Sequence, residues 1–193
     1  PPSISNQYVN HKTILEFVER TVPLNFKESF ALGDKITSRL REHVGEGRKC
    51  LVFVDGKEAF KVPYDSADIL QTVHFEEFHS SDGDLFAIGW FVFTNTNREL
   101  SFGGLNFRKK GFRIGDTSLV TAMAMKKFIP WTYGEIHIVS PKIVENASRD
   151  GLNRGVDETE QLLRKVGDFS DSLEQLIRAI SKNLGSATLD KGK

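Results

Sequence analysis

Leu85-Phe86-Ala87-Ile88-Gly89-Trp90-Phe91-Val92-Phe93 carries no polar side chain. Neighbouring side chains of a strand point to opposite faces, so a run apolar on both faces needs cover on both. This run is therefore expected at the centre of a sheet with other layers packed above and below it. Just before it lies Asp82-Gly83, a dipeptide that favours the primed turn of a tight hairpin, which makes Thr72 to His79 its antiparallel neighbour. Asp55-Gly56 repeats the device between Lys49 to Val54 and Glu58 to Val62. Further strands are expected at Leu105 to Phe107 and Phe112 to Ile114, split by Lys109-Lys110-Gly111, and at Tyr133 to Val139, ending before Pro141.

Helices flank the strands. Ile14, Leu15, Phe17 and Val18 recur at helical spacing and stop before Pro23. Ile36, Leu40 and Val44 form one apolar stripe, with Asp34 as the expected N-cap and Gly45 and Gly47 as the stop. Towards the end, Asp157 with Glu160 reads as a capping box, and Leu162, Val166, Phe169, Leu173, Leu176 and Ile180 step by threes and fours. One long helix over 157–184 follows, with a bend at Gly167 and Ser170 allowed. A coiled-coil seam is the rival, but under three heptads carry it. Residues 1–11 read as a linker or frayed start, 12–184 as one domain and 185–193 as a polar tail. Helices, then many strands, then a helix predict an α+β fold, a layered mixed sheet with helices.

Composition narrows the function classes. The chain has 193 residues, 39% of them hydrophobic and 27% charged, with 26 basic residues against 26 acidic ones. That balance removes the general attraction to nucleic acid or anionic lipid that a basic domain shows. The single cysteine, Cys50, has no internal partner and suits a reducing compartment; beside Leu51, Val52 and Phe53 it reads as a buried thiol. No stretch approaches the roughly 20 apolar residues of a membrane span, and no signal peptide is evident at the N-terminus. The expected location is cytoplasmic.

The segment Ser140-Pro141-Lys142-Ile143-Val144-Glu145-Asn146-Ala147-Ser148-Arg149-Asp150 links the last strand to the long helix. Asn146 and Ser148 can bond nearby backbone amides and fix the loop, holding Arg149 outward. A fixed, planar and permanently charged donor fork suits phosphate. The same residues also make an ordinary capped helix start with a solvated arginine, and on physical grounds alone that plainer reading is favoured.

Gly134-Glu135-Ile136-His137-Ile138-Val139-Ser140, followed by Asn146-Ala147-Ser148-Arg149-Asp150 and a helix, resembles the middle, transducer-type domain of the ninety-kilodalton heat-shock chaperones. Their pattern is a strand, a serine, five residues, Asn-x-Ser-Arg-Glu and a helix. In that family the arginine reaches the γ-phosphate of ATP held by the preceding domain, and in other members of the GHKL group a lysine does so. The resemblance implies that Arg149 is the catalytic contact, with Asn146, Ser148 and Asn153 supporting its loop. It implies ATP and Mg bound only through an upstream nucleotide-binding domain of the same chain, a dimer in the full-length protein and a client or partner protein. Phe17 to Phe26, Lys61-Val62-Pro63-Tyr64 and Phe107 to Gly115 are similar to segments of bacterial ATPases of this type. Two positions depart from the pattern: Asn153 stands where the chaperones place glutamine, and Asp150 where they place glutamate. The alternative is a protein-interaction module with no catalytic part.

Other groups are weaker candidates. Arg108, Lys109 and Lys110, with Arg113, form a basic patch expected at a solvated hairpin tip or against phosphate or a partner domain. His74, Glu76, Glu77 and His79 lie close together, with only His74 and Glu76 expected on one face, and no metal site is expected. Ser118 lacks a partner that would make it a nucleophile, and Met123 and Met125 read as part of a loop.

Overall fold

The computed structural model describes residues 11–47, 49–62, 69, 72–94, 103–116 and 131–189. Residues 1–10 of the expected 1–11 linker, the Pro63-Tyr64 turn, Ser118, Met123, Met125 and the last four residues of the tail lie outside them, while position 11 already belongs to a helix.

The fold is α+β. Helices α1 (His11–Thr21) and α2 (Gly33–Val44) precede strands β1 (Phe53–Val54), β2 (Lys57–Glu58), β3 (His74–His79), β4 (Leu85–Phe93), β5 (Gly104–Lys109), β6 (Phe112–Ile114) and β7 (Thr132–Ile138), and α3 (Asp157–Leu189) follows. β1 and β2 form a small ribbon, while the other strands form a mixed five-stranded sheet in the order β3-β4-β7-β5-β6. β5 and β7 run parallel and every other neighbouring pair is antiparallel. β4 is interior and buried along nearly its whole length, as its composition requires, but the middle position belongs to β7. Periodicity shows that a strand is covered and is silent about its rank in the sheet.

Two apolar layers sandwich the sheet. Phe78, Phe91, Phe107 and Ile136 pack against Leu162, Val166, Leu173 and Ile177 of α3. Trp90, Val92 and Tyr133 pack on the other face against Ile36 of α2, Phe30 and Val62. Each such aliphatic or aromatic side chain contributes about 1.5–3 kcal/mol by leaving water, so both layers are needed to hold the strands. α3 is a single helix lying on the sheet, and no independent coiled-coil seam is needed to explain its apolar stripe. The stripe uses Ile177, whereas Leu176 is exposed. A helix turns 3.6 residues at a time, and the step of four from Leu173 keeps to the buried side.

Several local signals resolve differently from expectation. Asp55 (φ 52°) and Gly56 (φ 74°) make the primed turn between β1 and β2, and Lys110 (φ 50°) and Gly111 (φ 85°) make a second one between β5 and β6. Asp82-Gly83 does not form such a turn: the connection widens to residues 80–84, and the Ser80 hydroxyl accepts the amides of Asp82 (3.1 Å) and Asp84 (2.9 Å). Asp34 does not cap α2, because the helix starts one residue earlier behind Leu32, leaving Asp34 in the first turn beside the positive end of the dipole. The capping box at Asp157 is also absent. The Val156 carbonyl takes the Thr159 and Glu160 amides, and Asp157 accepts from Gln161 at 2.6 Å. α3 runs to Leu189, past the expected end at 184.

Glycine at position 134 lets the two central strands approach. A Cβ there would stand 2.2 Å from the Trp90 carbonyl oxygen and 2.8 Å from Phe91 Cα, both backbone atoms of β4. No membrane-crossing helix occurs among the described residues: none is both long and apolar enough.

Candidate functional site

Arg149 sits at the tip of a short loop that closes on itself. A bridge pairs Glu145 with Leu152, and the Asn146 amide donates to the Gly151 carbonyl at 3.0 Å. Inside this frame the Asn146 side chain donates to Asp150 (2.7 Å) and accepts the Gly151 amide (3.3 Å). The Ser148 hydroxyl also donates to Asp150, at 2.7 Å. These bonds from Asn146 and Ser148 hold the Asp150 carboxyl below its ordinary range. Asp150 is thus the acceptor around which the loop is laced. Asn146 and Ser148 thus bond within the loop, Ser148 to the Asp150 carboxylate and not to a backbone amide, while the Asn153 side chain accepts the Gly155 amide (3.1 Å) in the turn that leads into α3.

The lacing forces Arg149 into the left-handed region, at φ 58°. A non-glycine residue stays there only when its surroundings determine it. Here the Arg149 amide donates to Asn146 (3.0 Å), and its carbonyl accepts the amide of Gly115 (2.9 Å), just beyond β6. The guanidinium is 47% exposed, pairs with Glu145 at 3.6 Å and lies 5.7 Å from the centre of the Phe112 ring. It borders an open cleft of about 800 Å³ shared with Phe17, Thr21, Arg113, Asp116 and Ser148. The base of the loop is anchored by Lys142, which meets Glu158 of α3 at 2.9 Å.

The basic patch divides. Arg108, expected at a solvated tip, is buried at 1% exposure. Its Nε donates to Glu135, and its remaining nitrogens donate to the carbonyls of Gly111 (2.6 Å) and Arg20 (2.8 Å). Lys109 donates to the carbonyls of Ser140 (3.3 Å) and Ile143, so it props the base of the arginine loop. Register explains both: in β5 the side chains alternate between faces, and Arg108 falls on the face beneath the N-terminal segment, opposite His137. Lys110 alone stays exposed, in the turn.

Sequence reading did not find the polar cluster under α2. Glu135 in β7 is fully buried and accepts from Trp90 Nε1 (3.2 Å), Lys61 Nζ (2.6 Å), Arg108 Nε and His137 Nε2 (3.0 Å). Burial by itself raises the Glu135 carboxyl, but Arg108, Lys61 and His137 outweigh it and hold the group well below the usual carboxylate range. Burial lowers Lys61 to about 8, with Glu135 resisting and Arg108 adding to the fall. His137 is also lowered by burial, against the pull of Glu135. A signal was present: Glu135 and His137 alternate with Gly134, Ile136 and Ile138, two ionisable side chains on one face of a buried strand.

No protein-family model matches this chain, and no curated protein does. The remaining candidates resolve on geometry. His74 and Glu76 are alternate residues of β3, as expected, but Glu77 and His79 also meet, at 3.1 Å, and Arg39 holds Glu77 at 2.6 Å. His74 stacks on Phe91, with centroids 5.2 Å apart. No group of three or more metal-binding side chains occurs among the described residues. Cys50 is half-buried, and the neighbours that were to bury it, Leu51 and Phe53, are 66% and 57% exposed.

Proposed function

We propose that this chain is the coupling segment of a cytoplasmic ATPase of the heat-shock-chaperone type, presenting Arg149 to the γ-phosphate of ATP held by an upstream nucleotide-binding domain. The observation that carries the reading is an arginine locked at the tip of a laced loop, half-exposed on an open cleft. Mg and ATP belong to the upstream domain. Closure of that domain brings the triphosphate to the guanidinium, which neutralises charge on the transferring phosphoryl group. Glu145 is the resting partner. At 3.6 Å and partly solvated it holds Arg149 only weakly, so a triphosphate can displace it. Asn146 and Ser148 position the loop through Asp150, and Lys109 supports its base. The domain angle then reports the ATP state to a client, in a dimer of the full-length protein.

The test is Arg149→Ala in the protein carrying its nucleotide-binding domain. ATP turnover is expected to fall about 10²–10³-fold, the loss typical of one preorganised charge-stabilising donor, with ATP affinity little changed. Turnover within about twofold of the unaltered protein overturns the reading.

A specific observation favours a second reading, a protein-interaction module without catalysis. Ile14 and Phe17 on α1 and Leu51 and Phe53 on or beside β1 are exposed at 38%, 65%, 66% and 57%, and α1 and β1 touch. Nucleotide-independent capture of one defined protein, lost on Phe17→Ser with Phe53→Ser, would support this reading over the first.

A further inference from the structure

Beneath α2 lies a cavity of about 340 Å³ whose walls and floor differ in kind. Leu24, Phe26, Leu40 and Val44 make the walls apolar, and Lys61 and His137 close it on the sheet side. Arg41, Glu46 and Lys49 also line it. Size and lining match a small-molecule site: mostly apolar, with a few converging polar groups.

The floor has unused bonding capacity. Lys61 is 6% exposed, and among the described residues its ammonium makes one ion pair, to Glu135, while lying 5.2 Å from the centre of the Phe26 ring. Of its three N–H donors, Glu135 takes one. His137 gives Nε2 to Glu135, and its Nδ1 has no hydrogen-bond partner among the described residues. Among the described residues charge is unbalanced as well: Glu135 is one anion facing two buried cations, Lys61 and Arg108, with Lys49 a further cation acting on Lys61. A buried cation in excess is costly, and an anion placed beside it relieves that cost.

We propose that this cavity binds a small molecule with one carboxylate on an unbranched apolar body, the carboxylate seated on the free donors of Lys61 and the body between Leu40, Val44 and Phe26. His137 accepts at Nδ1 from any hydroxyl next to the carboxylate. The site lies apart from Arg149 and does not depend on the ATPase reading. An added anion favours the charged form of Lys61, which at about 8 is partly deprotonated in mildly alkaline solution, so binding near pH 8 takes up protons. The charged and titratable groups facing Lys61 and the cavity in that measurement are Glu135, Arg108, His137, Lys49, Arg41 and Glu46.

The experiment is calorimetric titration of the whole chain with octanoate, and separately with octylammonium and octanol. Octanoate is expected to bind one per chain with Kd below about 1 mM, and the other two at least about tenfold more weakly. At pH 8 the octanoate heat is expected to change with buffer ionisation enthalpy, the mark of proton uptake. Lys61→Met should remove the preference for octanoate over octanol. Val44→Trp, on the wall and clear of the buried cluster, should weaken octanoate at least about tenfold by filling the cavity; it decides the matter if Lys61→Met does not fold. Equal binding of all three probes, octanoate binding unchanged by Val44→Trp, or no octanoate binding up to about 10 mM each overturns the proposal.

Discussion

Glu135→Gln is the most informative single change for the fold. The amide keeps the shape of the carboxylate but removes the one anion that Lys61 and Arg108 share, at 2.6 Å and through a direct Nε contact respectively. Breaking a buried ion pair from one side costs about 3–5 kcal/mol, because the cations left behind are neither solvated nor paired. Glutamine keeps one acceptor oxygen, so the low end, about 3 kcal/mol, is expected. For a domain of this size that lowers Tm by about 6–12 °C. Urea unfolding followed by tryptophan fluorescence measures it directly, since the Trp90 indole donates to Glu135 at 3.2 Å and is buried with it. The acid limb gives an independent check. The folded carboxyl lies well below the ordinary glutamate value of 4.5, so its contribution is complete above that pH and disappears as pH falls through the folded value. Glu135→Gln should therefore flatten the loss of stability below pH 4.5. Adding Lys61→Met removes one stranded cation and should restore at least about 1 kcal/mol. A loss under about 1 kcal/mol for Glu135→Gln, with no rescue in the double variant, would refute the view that this cluster is a coupled charge network.

Gly134→Ala should cost at least about 3 kcal/mol or prevent folding, since overpacking here meets backbone rather than a flexible side chain; soluble yield and thermal midpoint check it. Lys61 has an ordinary value of 10.5 and a folded value of about 8, so between those pH values the unfolded chain binds more protons and stability from this group rises with pH. The full gap amounts to about 3 kcal/mol, and the rise should vanish in Lys61→Met when denaturation midpoints at pH 7.5 and near 10 are compared. Asn146→Ala removes the bonds to Asp150 and from the Gly151 amide. Hydrogen exchange at Gly151 should quicken about tenfold, with little change in global stability.

Much of the architecture was legible because it follows from short-range chemistry. The unbroken apolar run of β4 announced a strand covered on both faces, the paired positive φ at Asp55-Gly56 followed from turn composition, and the terminal helix followed from its period, whereas Lys110-Gly111 was legible only as a break between strands. Asn146 and Ser148 were legible as loop-fixing residues for the same reason: their partners lie within five positions. The errors fall where a choice depended on distant residues. Caps were misassigned because the local backbone could satisfy itself another way, as when Val156 takes the amides that Asp157 was to cap.

The amino-acid order alone determined the helices, the long strands of the main sheet and the sharp turn at Asp55-Gly56, and it marked Asn146 and Ser148 as residues able to fix the loop that carries Arg149. Tertiary structure decided that β7 lies between β4 and β5, and with it the fate of every charged residue on that face. Once β7 is central, Glu135 is beyond the reach of water and must gather Lys61, Arg108 and His137 around it, so one arginine of a patch that reads as solvated is drawn into a buried network. The reason is physical. Backbone propensity and periodicity act over a few residues, whereas the cost of burying a charge depends on everything packed around it, however far away in the chain.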